Sequence, residues 1–260
     1  MVGRMTTKRS RTAHLSGATQ TLIKQGVLTC RSKSSIERQG RSLPSHRQVT
    51  VECPVRLDLS GGWTDTPPIC YEHGGTVLNV AITINGQRPI GARARLVESP
   101  SAPSVTFILK GEQENDDRIY QLHTVEQFTD YNQPQRACAL LKSCCILTGI
   151  VNIDAAREVT LEEQLRENLS GHSLILEAWS NVPVGSGLGT SSILAGAILL
   201  ALWHLIGMEN ISDSMIIRKL TCLRYEYEST RTSRWSLGSR TNDDNRWRMA
   251  RSNRRLVAIV

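Results

Sequence analysis

Residues 181–193 read N-V-P-V-G-S-G-L-G-T-S-S-I and pass directly into the apolar run L-A-G-A-I-L-L-A-L-W. Glycines at 185, 187 and 189 favour a loop over a regular element. The apolar run behind them calls for a buried helix opening near Thr190, and the strand-like pattern over 173–179 lies ahead of them. A strand, a glycine loop and a helix in this order bring free N–H groups and the positive end of a helix dipole to one place. That geometry binds phosphate. The hydroxyls of Thr190, Ser191 and Ser192 can cap the helix or reach a Mg2+ ion that travels with a nucleotide. The alternative is a plain strand-to-helix turn without a ligand. Two familiar phosphate loops are excluded. A Walker A loop needs Lys before its Ser or Thr, but Gly189 is followed by Thr190; a G-x-G-x-x-G fingerprint needs a wider last spacing than Gly185, Gly187 and Gly189 give.

Upstream, Val49, Val51, Cys53, Val55, Leu57 and Leu59 alternate with polar residues and Pro54, the period of a half-buried strand with an edge or bulge at the proline. The stretch 61–68, G-G-W-T-D-T-P-P, is a loop. Strand patterns recur over 76–84, 90–97 and 105–110, and helical patterns over 135–148, 190–206 and 212–227, the last opening on Ser212. A short helix is expected over 18–32. Strands followed by a glycine loop and helices make an α+β arrangement.

Charge divides the chain of 260 residues into three. Residues 1–48 hold 10 Lys/Arg against 1 acid, residues 49–228 hold 13 against 21, and residues 229–260 hold 8 Arg against 2 Asp, so the net +7 resides in the two ends. Basic ends around an acidic middle do not make an organised nucleic-acid face. The seven cysteines show no C-x-x-C spacing, which supports neither a zinc site nor a disulfide framework and favours a cytoplasmic setting. The longest apolar stretch, 193–206, is too short to span a bilayer, and Arg4, Lys8, Arg9 and Arg11 precede no apolar signal region.

The string P-V-G-S-G-L-G-T-S-S (183–192) resembles the second motif of the GHMP kinases, P-x-x-x-G-L-G-S-S-A. C-P-V-R-L-D-L-S-G-G-W-T-D-T-P-P (53–68) is similar to the first motif in the tryptophan-containing form of the fucokinases, and residues 71–75 and 88–94 continue the likeness over 47–225. The resemblance implies an α+β GHMP kinase N-terminal domain over 47–228, with the family's C-terminal domain missing, between a polar basic lead over 1–46 and a basic disordered tail over 229–260. By position, Pro183, Gly185, Ser186, Gly187, Leu188, Gly189, Thr190 and Ser191 would wrap the ATP phosphates, Ser191 also meeting Mg2+. Asp65, Trp63, Arg56 and Asp58 fall on the sugar side. A carboxylate in a tight loop can accept hydrogen bonds from two neighbouring hydroxyls, and an indole offers a flat apolar face. The structural alternatives are an Asx turn for Asp65, a salt bridge for Arg56 and core cover for Trp63. The implied reaction moves a phosphoryl group from ATP to the anomeric hydroxyl of L-fucose. A kinase for another sugar such as a heptose, or an inactive ATP- and sugar-binding module, stands as the alternative; no specific nucleic-acid or membrane partner is implied.

The tail departs from the family. Fucokinases carry their general-base aspartate in a stretch like E-Q-M-M-T-T-G-G-G-W-Q-D-Q, whereas residues 246–252 here are R-W-R-M-A-R-S. Written as AGG TGG AGG ATG GCA AGA TCA and read one nucleotide forward, these codons give Gly-Gly-Gly-Trp-Gln-Asp-Gln, the last completed by the first A of the Asn253 codon. The tail therefore reads as out-of-frame translation, and no catalytic residue is assigned in this frame. Sequencing the transcript across codons 225–260 is expected to show a one-nucleotide discrepancy; an mRNA that encodes the tail in the stated frame refutes the reading.

Overall fold

The alternating run that begins at Val49 forms two strands, because Pro54 has no N–H with which to continue a ladder. In the computed structural model, β1 (Gln48–Cys53) and β2 (Val55–Ser60) flank that proline and enter different sheets. The structure describes residues 48–62, 64, 73–99, 101–111, 116–133, 135–155, 158–183, 186, 188–208, 211–212 and 215–216, and the backbone of 248–252 and 255–259. β2 pairs antiparallel with β3 (Leu78–Ile82) as a two-stranded ribbon, with an irregularity between Asp58 and Ser60. β1 joins a seven-stranded sheet that contains β4 (Ile90–Val97), β5 (Val105–Leu109), β6 (Arg118–Leu122), β7 (Ser173–Ser180), β8 (Arg248–Ser252) and β9 (Arg255–Ile259). The order is β6-β5-β7-β4-β1-β9-β8, with β7 antiparallel to β4 and parallel to β5.

One face of this sheet is apolar and buried: Val49 and Val51 on β1, Ala92 and Ala94 on β4, Phe107 on β5, and Leu174 and Leu176 on β7. Helix α3 (Thr190–Leu205) lies across β1 and β4, and α1 (Ala139–Leu147) packs on α3. From Ala195 to Leu205 every side of α3 is buried, including Trp203, as a helix apolar all round must be. Each fully buried Leu or Ile there contributes about 1.5–3 kcal/mol relative to exposure. Helix α2 (Leu161–Leu169) starts on a capping box: Thr160 Oγ1 accepts from the Glu163 N–H at 3.2 Å, and Glu163 accepts from the Thr160 N–H at 2.7 Å.

The expected strands over 90–97, 105–110 and 173–179 and the helix over 190–206 are present within a residue or two of their expected ends. The expected strand over 76–84 is shorter, because Asn85 (φ 50°) and Gly86 (φ 73°) make a tight hairpin turn between β3 and β4. The helix expected over 135–148 begins only at Ala139, after Cys138 in a left-handed conformation. The Met215 N–H donates to Ser212 Oγ at 3.3 Å, the cap expected there. Strands β8 and β9 lie in the stretch expected to be disordered: β9 draws on the apolar sequence L-V-A-I and runs parallel beside β1. The short helix expected over 18–32 and most of 212–227 fall outside the described residues. Among the described residues, no helix is long and apolar enough to cross a membrane.

Two measurements check this packing. A methyl group at Gly91 would run into the Trp179 indole and come within 2.8 Å of the Val51 carbonyl oxygen. Gly91→Ala is expected to lower stability by about 1–3 kcal/mol in urea unfolding. Burial raises the Cys53 thiol to about 12 and the Cys138 thiol to about 11, and pushes Cys144 and Cys145 upward as well. These thiols stay protonated at pH 8, so iodoacetamide is expected to spare them in the native chain and label them after denaturation.

Candidate functional site

Two helix N-termini in this fold are treated in opposite ways. α2 opens with Glu162 and Glu163 in its first turn and a side-chain cap at Thr160, so its positive end is neutralised from within. α3 has Gly189 as its N-cap, in a left-handed conformation (φ 67°, ψ 25°), with no side-chain cap and no acid in its first turn. Among the described residues no side chain caps this end; the Ser192 N–H turns back to the Gly189 carbonyl at 3.2 Å, and the dipole's positive end carries no acid in its first turn.

A cation stands beside that end. The Arg56 guanidinium, carried on β2, sits 3.1 Å (Nη2) from the point where a β-carbon at Gly189 would lie. Any side chain at 189 would press on it. Pro54 sets up this approach: by turning β2 out of the large sheet, it brings the Arg56 side of the ribbon against the start of α3, where the two elements touch. The sequence placed Arg56 on the sugar side, and the structure adds proximity to the glycine loop. Asp58 shares the ribbon face of Arg56 and packs its carboxylate over Gly62, where a β-carbon would collide with it.

The remaining expected site residues divide as follows. Leu188, Gly189, Thr190 and Ser191 form the entry to α3, with Thr190 half-buried and Ser191 exposed. Pro183 and Ser186 are exposed in the loop, whose bend is tied by a Ser186 N–H donated to the Pro183 carbonyl at 3.2 Å. Gly185, Gly187, Trp63 and Asp65 lie outside the described residues. The flanks of the Trp63–Asp65 loop are nonetheless pinned by Thr64. Its hydroxyl donates its one proton to the Gly61 carbonyl at 2.6 Å, with the Thr76 carbonyl 3.0 Å away as the alternative acceptor, and accepts from the Thr76 N–H at 3.1 Å. Sequence reasoning missed this clasp; a threonine between loop glycines carries no signal of its distant partner. Among the described residues no group of three or more His, Cys, Asp or Glu is placed to hold a metal.

Residues 153–233 match the GHMP kinases N terminal domain. That match spans 81 of the chain's 260 residues. It is 38% identical over 175 residues to the bifunctional fucokinase/GDP-fucose pyrophosphorylase of Arabidopsis thaliana, covering 65% of this chain and 14% of that protein. It is 35% identical over 165 residues to the L-fucokinase/L-fucose-1-P guanylyltransferase of Bacteroides fragilis, covering 63% of this chain and 16% of that one. The chain thus spans less than a fifth of the length of these curated relatives. Among solved structures, the mevalonate kinase of Methanococcus jannaschii superposes with a TM-score of 0.44 at 15% identity, over 72% of this chain and 49% of that one.

Thr64→Val, which removes the hydroxyl's donated and accepted hydrogen bonds, is expected to cost about 1–2 kcal/mol and to loosen the backbone between Gly61 and Thr76. Chymotrypsin cleavage at Trp63 or Tyr71, followed by mass spectrometry, should quicken in this variant while cuts elsewhere keep their rates.

Proposed function

We propose that this GHMP kinase domain binds ATP at the α3 N-terminus and serves the phosphorylation of L-fucose at its anomeric hydroxyl. The observation that carries the reading is the unneutralised helix end at Gly189 with the Arg56 guanidinium beside it. A phosphate chain there receives backbone N–H donors, the helix dipole and one guanidinium, which together favour the extra negative charge of an ATP tail. Glycine at 189 keeps the backbone open to the anion, and Thr190 and Ser191 add hydroxyl donors. Mg2+, when bound with ATP, supplies charge neutralisation at the phosphates, and Ser191 is the residue that would touch it. The loop that carries Asp65 and Trp63 belongs on the sugar side: a carboxylate accepts from neighbouring hydroxyls, and an indole covers the ring's apolar face. Catalysis of this kind rests on positioning and charge, which these elements provide. The likeness to two fucokinases at 38% and 35% identity favours L-fucose over other sugars.

A second reading is a module that binds nucleotide and sugar without turnover. Calorimetry with MgATP, paired with a coupled assay of ADP release in the presence of L-fucose, separates the two. The proposed kinase binds MgATP and releases ADP only with the sugar; binding without release selects the second reading, and no binding overturns both. Arg56→Ala is expected to weaken MgATP binding about tenfold, with Arg56→Lys falling between.

A further inference from the structure

The large sheet has a second face, away from α3, and it carries a concavity. A cavity of about 480 Å³ is lined there by Glu52, Thr83, Gln87, Arg88, Trp179 and Asn181. Glu52 and Trp179 occupy strand positions that alternate with the buried Val51 and Ala178, which places them opposite the helices.

Its walls are fixed. Trp179 pairs across the strands with Gly91, whose missing side chain leaves room for the indole to lie against the sheet. The Arg93 guanidinium stands 5.9 Å from the centre of that ring. Arg93 is itself held by Glu177 at 3.2 Å and by Thr50 Oγ1 at 3.2 Å, and Glu177 is only 5% exposed. This buried carboxylate has no part in phosphate binding; its arginine partner steadies the tryptophan. The hairpin turn on the other side is locked by paired hydrogen bonds between Ile84 and Gln87, each 2.9 Å. Asn181 donates its N–H to the Pro89 carbonyl at 2.8 Å and begins the segment that leads into Ser186–Gly189.

The lining selects a ligand class. One aromatic plate beside a carboxylate, a guanidinium and two carboxamides suits a ring with an apolar side and several neighbouring hydroxyls. A nucleobase would seek a second apolar wall, and a hard cation would seek more than one carboxylate. We infer that this cavity binds a neutral monosaccharide in its pyranose form, separate from the site at the α3 N-terminus.

Saturation-transfer NMR on the full chain with L-fucose, D-mannose and D-galactose, each at millimolar concentration, tests the inference. In Asp65→Ala, which removes the sugar contact proposed for the Trp63–Asp65 loop, saturation of at least one sugar is expected to persist, and its affinity to fall about tenfold when Glu52→Gln or Trp179→Ala is added. MgATP affinity, measured in the same variants by calorimetry, should stay at the level of the unmodified chain. Absence of any sugar signal overturns the inference, as does a signal that the cavity variants leave unchanged or that Asp65→Ala alone abolishes. Should Trp179→Ala fail to fold by circular dichroism, Glu52→Gln and Asn181→Ala decide, since both leave the Arg93–Glu177 pair intact. Failure of MgATP to bind would count against the phosphate site and leave this test unaffected.

Discussion

The outward-facing end of α3 is held in place by what the rest of that helix buries. With Ile198, Leu199, Leu202 and Trp203 fully enclosed, the helix can neither roll nor slide without opening the core between it and β1, β4 and β7. Its first turn is thereby fixed at the end of β7, and the glycine loop has only a short gap to bridge. Anion affinity at such a site depends on the donors being in place before the ligand arrives. Here the core supplies that rigidity, and the loop supplies access.

A single imino acid arranges the other half of the site. Because Pro54 ends β1 one residue before β2 begins, one continuous alternation is divided between the wall of the core and a ribbon that leans on the helix entrance. Arg56 and Asp58 lie on the same side of that ribbon, two residues apart, as the strand period requires. The charged residue that meets Gly189 is thus placed by backbone chemistry well before any interaction with a ligand.

Much of this was readable in the sequence, and the parts that were not share a physical character. The strand, loop and helix around 173–206 are dictated by local patterns strong enough to need no context: an apolar alternation, closely spaced glycines and a continuous apolar run. Strand β6 escaped because R-I-Y-Q-L is short and mixed, and its place is settled by pairing with β5. Helix α2 is mostly polar; its signature lay in the spacing of Thr160 and Glu163 more than in its apolar residues. The parallel neighbourhood of β5 and β7 joins segments far apart in the chain, a long-range choice that no window of residues contains. At the site, residue types pointed to the glycine loop and to the ribbon separately. That Arg56 reaches the helix start, and that Thr64 fastens the intervening loop to Thr76, required the fold itself.

The ribbon has a reverse side as well. Leu57, Leu59, Leu78 and Val80 are between 37% and 58% exposed on its β2 and β3 strands. Water wets such a surface poorly, and sulfate or phosphate salts, by strengthening apolar association, would drive molecules of this polypeptide together through it. Purification is therefore best carried out in dilute, low-salt buffers, where apolar association through these side chains is weakest.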